Sequence, residues 1–321
     1  VVYPLGQVVV GLGLLFGNGS ASYLSRLLGK GDKEKANQVA STALYSSITV
    51  GAIMIILSII FLRPILKFLG ATDSIMPYAI TYASIYIISC IFNVFNVTMN
   101  NIVTSEGAAK TTMCALMTGA ILNIGLDPVF IYILNMGVAG AAIATAISQI
   151  VSTLVYLTFI LRKKSTYHFR IRNFSFTKDI MSEIFKIGIP TLVFQILTSL
   201  SISFVNTKSM VYGDSVIAGM GAVTRIVSMG SLMVFGFIKG FQPIAGYSYG
   251  AKKFYRLQEA IKTSILWSTI FCVIYGLILA IFSKGIISQF TKMDLDMIRV
   301  GTQSLRINGF SFMLFGFYTV Y

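Results

Sequence analysis

Acidic residues are scarce in this chain. Only 11 Asp and Glu stand against 25 Lys and Arg, and charged residues make up 11% of the 321 positions. A soluble domain carries about 25% charged residues, so a water-facing globule is excluded. Histidine is almost absent: His168 stands alone, with no HExxH and no run of paired zinc ligands, so the usual zinc signatures are missing. The three cysteines, Cys90, Cys114 and Cys272, form no CxxC pair. Each lies in an apolar run, where cysteine acts as a small packing residue. There is no GxxxxGK[ST] phosphate loop. Gly11, Gly13 and Gly17 sit inside an apolar run, without the βαβ setting a dinucleotide fingerprint needs. No constellation of catalytic type faces water, so an enzyme is not expected.

What the chain has in excess is apolar length. Hydrophobic residues make up 55% and the mean hydropathy is +0.80. Nine apolar spans can be read, roughly 1–24, 38–62, 78–104, 111–134, 138–161, 187–212, 216–248, 264–283 and 303–321. Each reaches the ~20 residues that a spanning helix needs. The expected fold class is an all-α, polytopic membrane bundle. No basic segment precedes the first apolar stretch, so no signal peptide is expected.

The order of elements repeats. Gly19 to Gly29 and the basic loop Lys30, Lys33, Lys35 correspond to Gly240 to Gly250 followed by Lys252, Lys253 and Arg256. Phe68-Leu69-Gly70-Ala71-Thr72-Asp73-Ser74 corresponds to Phe290-Thr291-Lys292-Met293-Asp294-Leu295-Asp296. Duplicated helical halves are how many secondary transporters place a substrate site between two lobes. The expected domains are an N-lobe at 1–164, a cytoplasmic inter-lobe linker at 165–186 and a C-lobe at 187–321. At this offset the partners of several spans would fall before Val1 or beyond Tyr321. The expectation is a parent of two pseudo-symmetric six-helix lobes, with the first helix and the last two missing from this chain.

The positive charge follows the loops. Arg26, Lys30, Lys33, Lys35, Lys110, Arg162, Lys163, Lys164, Arg170, Arg172, Lys178, Lys186, Lys252, Lys253, Arg256 and Lys262 fall on one side. Arg63, Lys67, Lys284, Lys292 and Arg299 fall on the other. Sixteen against five places the first set in the cytoplasm by the positive-inside rule. The net charge is thus accounted for by topology, and a nucleic-acid partner is not expected. Six spans separate each element from its repeat, so the halves share one orientation, related by an axis along the membrane normal.

Ionisable groups inside spans cost about 2.5–3.5 kcal/mol each at the helix centre, which makes them functional candidates. Asp127 is the sharpest. In Leu122-Asn123-Ile124-Gly125-Leu126-Asp127-Pro128, Asn123 and Asp127 are four apart and share a helix face. After the turn Asn135-Met136-Gly137-Val138 the chain returns, and Thr145 comes to a similar depth, about 12 Å against about 15 Å for Asp127. A carboxylate, an amide oxygen and a hydroxyl suit a proton or Na⁺, and Pro128 frees one backbone carbonyl a turn earlier. Further polar candidates for a substrate cleft are Gln195, Asn206, Arg225, Lys239, Gln242 and Asn308. A cavity lined with Met and aromatic residues suits flat lipophilic cations. Without an ATP-binding element, transport must draw on an ion gradient or a partner subunit.

Several stretches resemble the multidrug and toxic compound extrusion (MATE) family. They are Ser25-Arg26-Leu27-Leu28-Gly29-Lys30-Gly31-Asp32, Glu106-Gly107-Ala108-Ala109-Lys110, the Leu122–Pro128 stretch, Met136 through Thr145, and Gln242 through Lys252. Their order and spacing extend the resemblance over essentially the whole chain. It implies two six-helix bundles around a cleft and rocker-switch export of cationic or amphipathic drugs in exchange for H⁺ or Na⁺. It also implies a cation site at Asn123, Asp127 and Thr145, and no other cofactor. The family's first helix, with an acidic residue in that site, has no counterpart here. The norfloxacin-extrusion branch uses a glutamate in its seventh helix, whereas span 187–212 has no acidic residue. The chain is therefore similar to the bacterial DNA-damage-inducible-F and multidrug-export branch. A monomer in the plasma (inner) membrane is expected, with lipophilic cations and the lipid bilayer as partners. The alternative is a flippase of lipid-linked saccharides from the same superfamily, for which Arg225, Lys239 and Arg306 are the in-membrane support.

Overall fold

The computed structural model describes residues 3–68, 76–210, 212–291 and 294–320. Among them the chain is helical throughout: α1 (Tyr3–Lys30), α2 (Lys33–Ile60), α3 (Leu62–Phe68), α4 (Met76–Ser105), α5 (Ala109–Pro128), α6 (Gly137–Leu161), α7 (Lys178–Met210), α8 (Asp214–Gly250), α9 (Phe254–Ile281), α10 (Ser283–Ile287) and α11 (Leu295–Val320). Eight of the described helices are long and apolar enough to cross a membrane. The ninth expected span lies in α11. That helix has 26 residues, ample length, but Gln303, Arg306 and Asn308 lower its hydropathy below that of the other eight.

The described residues pack as two compact units, Val1–Leu197 and Thr198–Tyr321, and α7 runs through both. In the first, α1 packs on α2 and α4, and α6 on α4 and α5. Leu15, Phe16, Leu24, Val39, Met99, Ile102, Tyr156 and Ile184 form its core. In the second, α11 packs on α9 and α8, around Val223, Leu279, Leu305, Cys272 and Phe312. The repeated order is visible in the elements. Both α2 and α9 have 28 residues, and each gives way to a short helix before the next long one. The second repeated motif lies in part outside the described residues, at Leu69–Ser74 and Lys292–Met293.

Lipid offers helices no hydrophobic drive to associate, so membrane bundles rely on close backbone approach. A Cβ at Gly276 or Gly309 would strike the other's carbonyl where α9 meets α11. In the first unit α1 and α7 cross in the same way. A Cβ at Gly19 would strike the Ile184 carbonyl, and one at Gly188 the Leu15 carbonyl. Asn18 Nδ2 donates to Thr191 Oγ1 at 3.3 Å, and Arg26 pairs with Glu183 at 2.8 Å beside the same crossing.

Residues 162–177, which lead from α6 to α7, are tied down at several points. Thr166 N and Ser165 Oγ donate to Glu106 Oε2 at 2.6 and 3.0 Å, and Ser105 and Tyr167 share a hydroxyl contact of 3.1 Å. Glu106 Oε1 is buried with no hydrogen-bond partner among the described residues. Burial pushes the Glu106 carboxyl up, against the pull of the Thr166 N–H and the Ser165 hydroxyl. A raised carboxyl pKa means the fold prefers the neutral form. Its stabilising contribution is full below the ordinary carboxylate value and is lost as pH rises through the raised one. The thermal stability of wild type minus that of Glu106→Gln is therefore expected to be greatest in acid and to fall toward neutral pH. A difference that is flat across that range would mean that folding does not shift the carboxyl's pKa.

Candidate ion and substrate site

The end of α5 is shaped by Pro128. Lacking an N–H, it cannot donate to the carbonyl one turn back. The helix widens into a π-turn at Val129–Ile133, where Leu134 N reaches Val129 O at 2.9 Å. Such turns are frequent at functional positions. Asn135 (φ 51°) and Gly137 (φ 53°) then reverse the chain into α6. Asp127 sits at the mouth of this irregular turn.

Asn123 Nδ2 donates to Asp127 Oδ1 at 3.2 Å, one helical turn apart, and both residues are half-buried. Thr145 is half-buried on α6, and its hydroxyl donates to the Ala141 carbonyl at 2.9 Å. Asn123 and Thr145 line one cavity of about 230 Å³ between α4, α5 and α6. Asp127 is not in that lining and reaches it through Asn123. The structure thus brings the three together in two steps, a hydrogen bond and a shared cavity.

The cavity wall is more polar than the sequence reading anticipated. Asn96 on α4 donates through Nδ2 to the Gln149 carbonyl at 2.9 Å and to Gln149 Oε1 at 2.8 Å, and its own Oδ1 accepts from Thr153 at 2.9 Å. Below it, Asn100 Nδ2 donates to Tyr156 Oη at 3.3 Å. With its oxygen engaged by Asn96, the Gln149 amide keeps its N–H donors for an occupant. These neutral residues were missed because single Asn, Gln and Tyr side chains in spans read as packing. The available signal was their spacing. Asn93, Asn96 and Asn100 on α4, and Gln149, Thr153 and Tyr156 on α6, follow the 3–4 residue step of one helix face.

A 230 Å³ cavity is smaller than the roughly 300–1,000 Å³ of drug-sized sites. At about 30 Å³ per water it holds a hydrated ion or one ring system of a larger molecule.

The other polar candidates divide between the two units. In the first unit, Gln195 Nε2 on α7 donates to Gln7 Oε1 on α1 at 2.5 Å. The side chain of Asn206 lies outside the described residues. In the second unit, Arg225 is exposed on α8, while Lys239 and Gln242 are half-buried around the Pro243 stretch. Asn308 Nδ2 donates to the Ser304 carbonyl at 2.9 Å, and Ser304 Oγ contacts Met220 sulfur at 3.3 Å.

The MatE family model matches residues 1–129 and 190–321. The multidrug export protein MepA of Staphylococcus saprophyticus is 30% identical over 321 residues, covering 98% of this chain and 70% of the relative. MepA of Staphylococcus haemolyticus is 29% identical over 319 residues with the same coverage. A solved structure described as the outward-facing conformation of a multidrug resistance MATE family transporter of the MOP superfamily superposes with a TM-score of 0.88. It shares 26% identity, covering 98% of this chain and 73% of that one. A MATE structure in the straight conformation matches with the same TM-score, identity and coverage.

Proposed function

The chain belongs to the MATE family of transporters, and we propose that it exports cationic or amphipathic drugs in exchange for H⁺ or Na⁺ by alternating access. It is a multi-pass protein of the plasma membrane. The observation that carries the exchange reading is the Asn123–Asp127 pair beside a polar cavity among membrane helices. A carboxyl kept there at a cost of about 2.5–3.5 kcal/mol implies a use. Asparagine serves both charge states of its partner: its NH₂ donates to a carboxylate, and after an amide flip its oxygen accepts from a carboxylic acid. Asp127 can therefore gain and lose a proton, or hold Na⁺ with the Asn123 and Thr145 oxygens, without losing its hydrogen bond.

Exchange follows from competition. Ionised Asp127 favours a cationic occupant, and protonation or Na⁺ binding removes that preference, so the two ligands exclude each other at one charge. Such linkage is reciprocal: the ion expels the drug only because the drug expels the ion. Gln195, Arg225, Lys239, Gln242 and Asn308 are proposed to contribute to the wider substrate path.

The test is transport in vesicles containing the reconstituted protein. A fluorescent lipophilic cation is followed after imposing a proton gradient or, separately, a sodium gradient. Movement driven by one of them supports the antiporter and identifies its ion. Correctly folded protein that moves the dye under neither gradient overturns drug–ion exchange and favours flipping of lipid-linked saccharides.

A further inference from the structure

Residues 161–178 carry Arg162, Lys163, Lys164, Arg170, Arg172 and Lys178, with no acidic residue among them. The segment is a strap fixed along the first part of α2. His168 N donates to Asn37 Oδ1 at 2.8 Å, and Ser41 Oγ donates to the His168 carbonyl at 3.3 Å. Thr42 and Ser175 exchange two bonds, Thr42 Oγ1 to the Ser175 carbonyl at 3.2 Å and Ser175 N to Thr42 Oγ1 at 3.1 Å. Residues 37 to 42 lie about 6–14 Å along the α2 axis from its start. The strap therefore runs beside the helix, at the level where a span leaves the headgroups.

Tyr167 and Phe169 turn into the core of the first unit, whereas the apolar side chains further along the strap are exposed. Around Phe174 the backbone is extended, so alternate side chains face opposite ways. Ser175 meets α2 through its backbone N–H and carbonyl, while Phe174 and Phe176, two residues apart, are 41% and 71% exposed, with their rings stacked 6.5 Å apart. Ile171 is 77% exposed between Arg170 and Arg172, which are also exposed. A pinned backbone with outward Phe and Ile set among cations is the pattern of a segment lying in the membrane interface. The strap joins two membrane-spanning helices, α6 and α7, which keeps it at that surface.

We propose that this strap is an anionic-phospholipid site. Ile171, Phe174 and Phe176 enter the boundary between headgroups and acyl chains, and Arg170 and Arg172 hold the phosphates of anionic lipids in the leaflet on the basic side. Charge complementarity selects that occupant, since anionic lipids attract basic segments beside a span. Residues 130–189, which contain the strap, lie outside the stretches the MatE model matches. The site is separate from the α4–α5–α6 cavity and stands whatever that cavity transports.

The chain has one tryptophan, Trp267. Trp267→Phe with Phe176→Trp makes the strap the only tryptophan reporter, and Phe174→Trp is the second position should the first fold poorly. The variant is reconstituted with brominated phosphatidylglycerol or, at the same fraction, brominated phosphatidylcholine. Lipid quenching is expected, stronger from phosphatidylglycerol. Arg170→Gln and Arg172→Gln are expected to reduce the anionic preference about fivefold for each arginine removed. Quenching by aqueous iodide with none from brominated lipid overturns the site and points to a soluble acidic partner. Equal quenching by the two lipids, unchanged in the arginine variants, also overturns it.

Discussion

Asp127→Asn is expected to reduce gradient-driven export to the level of empty vesicles while leaving the fold intact. The asparagine has the same shape and still bonds to Asn123, which donates to Asp127 at 3.2 Å in the wild type. What it loses is the charge. If drug and ion exchange by competing for that charge, an uncharged residue holds neither preferentially. Coupling then disappears even if the cavity still admits the dye. Thermal stability is expected to be unchanged or slightly raised, because a neutral amide is less costly than a carboxylate among membrane helices. Thr145→Ala is expected to do much less. Its hydroxyl is engaged with the Ala141 carbonyl, and one hydroxyl bond is worth about 0.5–1.5 kcal/mol, at most roughly tenfold in affinity. Transport by Asp127→Asn at the wild-type rate would assign the carboxyl a purely structural role.

The membrane class, the helical fold and the family were legible because each rests on many residues at once. Sustained hydropathy marks spans, and the order of glycine, basic loop and apolar span survived in the paired elements α1–α4 and α8–α11. The Asn123–Asp127 contact was legible because four residues in one helix fix it locally. The α4–α6 network was not, because it depends on which face α4 turns to α6, and no local rule sets that rotation. Asn96 meets Gln149 and Thr153 across 53 and 57 residues of sequence. The strap was visible in the sequence only as a polar linker. Its pinning by Asn37, Ser41 and Thr42 arises from residues more than 120 positions away. The span at 303–321 shows the reverse limitation: α11 forms a long helix despite Arg306 and Asn308, since the side chains of α9 and α8 pack against it.

Gly188→Leu is expected to cost about 3 kcal/mol, the upper end for overpacking a well-packed site. The reason lies in what the new side chain would meet. The first atom in its path is the Leu15 carbonyl of α1, and a helix backbone cannot rotate aside as a side chain can. The two helices must separate. Leu15 and Ile184 then lose their packing, and the Asn18–Thr191 bond opens, as does the Arg26–Glu183 pair. Gly19→Leu is expected to act alike, because it meets the Ile184 carbonyl at the other contact of the same crossing. The two contacts are four residues apart on each helix. The double variant is therefore expected to lose less than the sum, since one separation relieves both clashes. At roughly 2–4 °C per kcal/mol for a unit of this size, each single variant should lower the melting temperature in detergent by about 6–12 °C. Gly125→Ala serves as the control, because nothing lies within 4 Å of its Cβ position, and it is expected to melt no lower than wild type. A Gly188→Leu protein as stable as that control would mean that α1 and α7 are not in backbone contact.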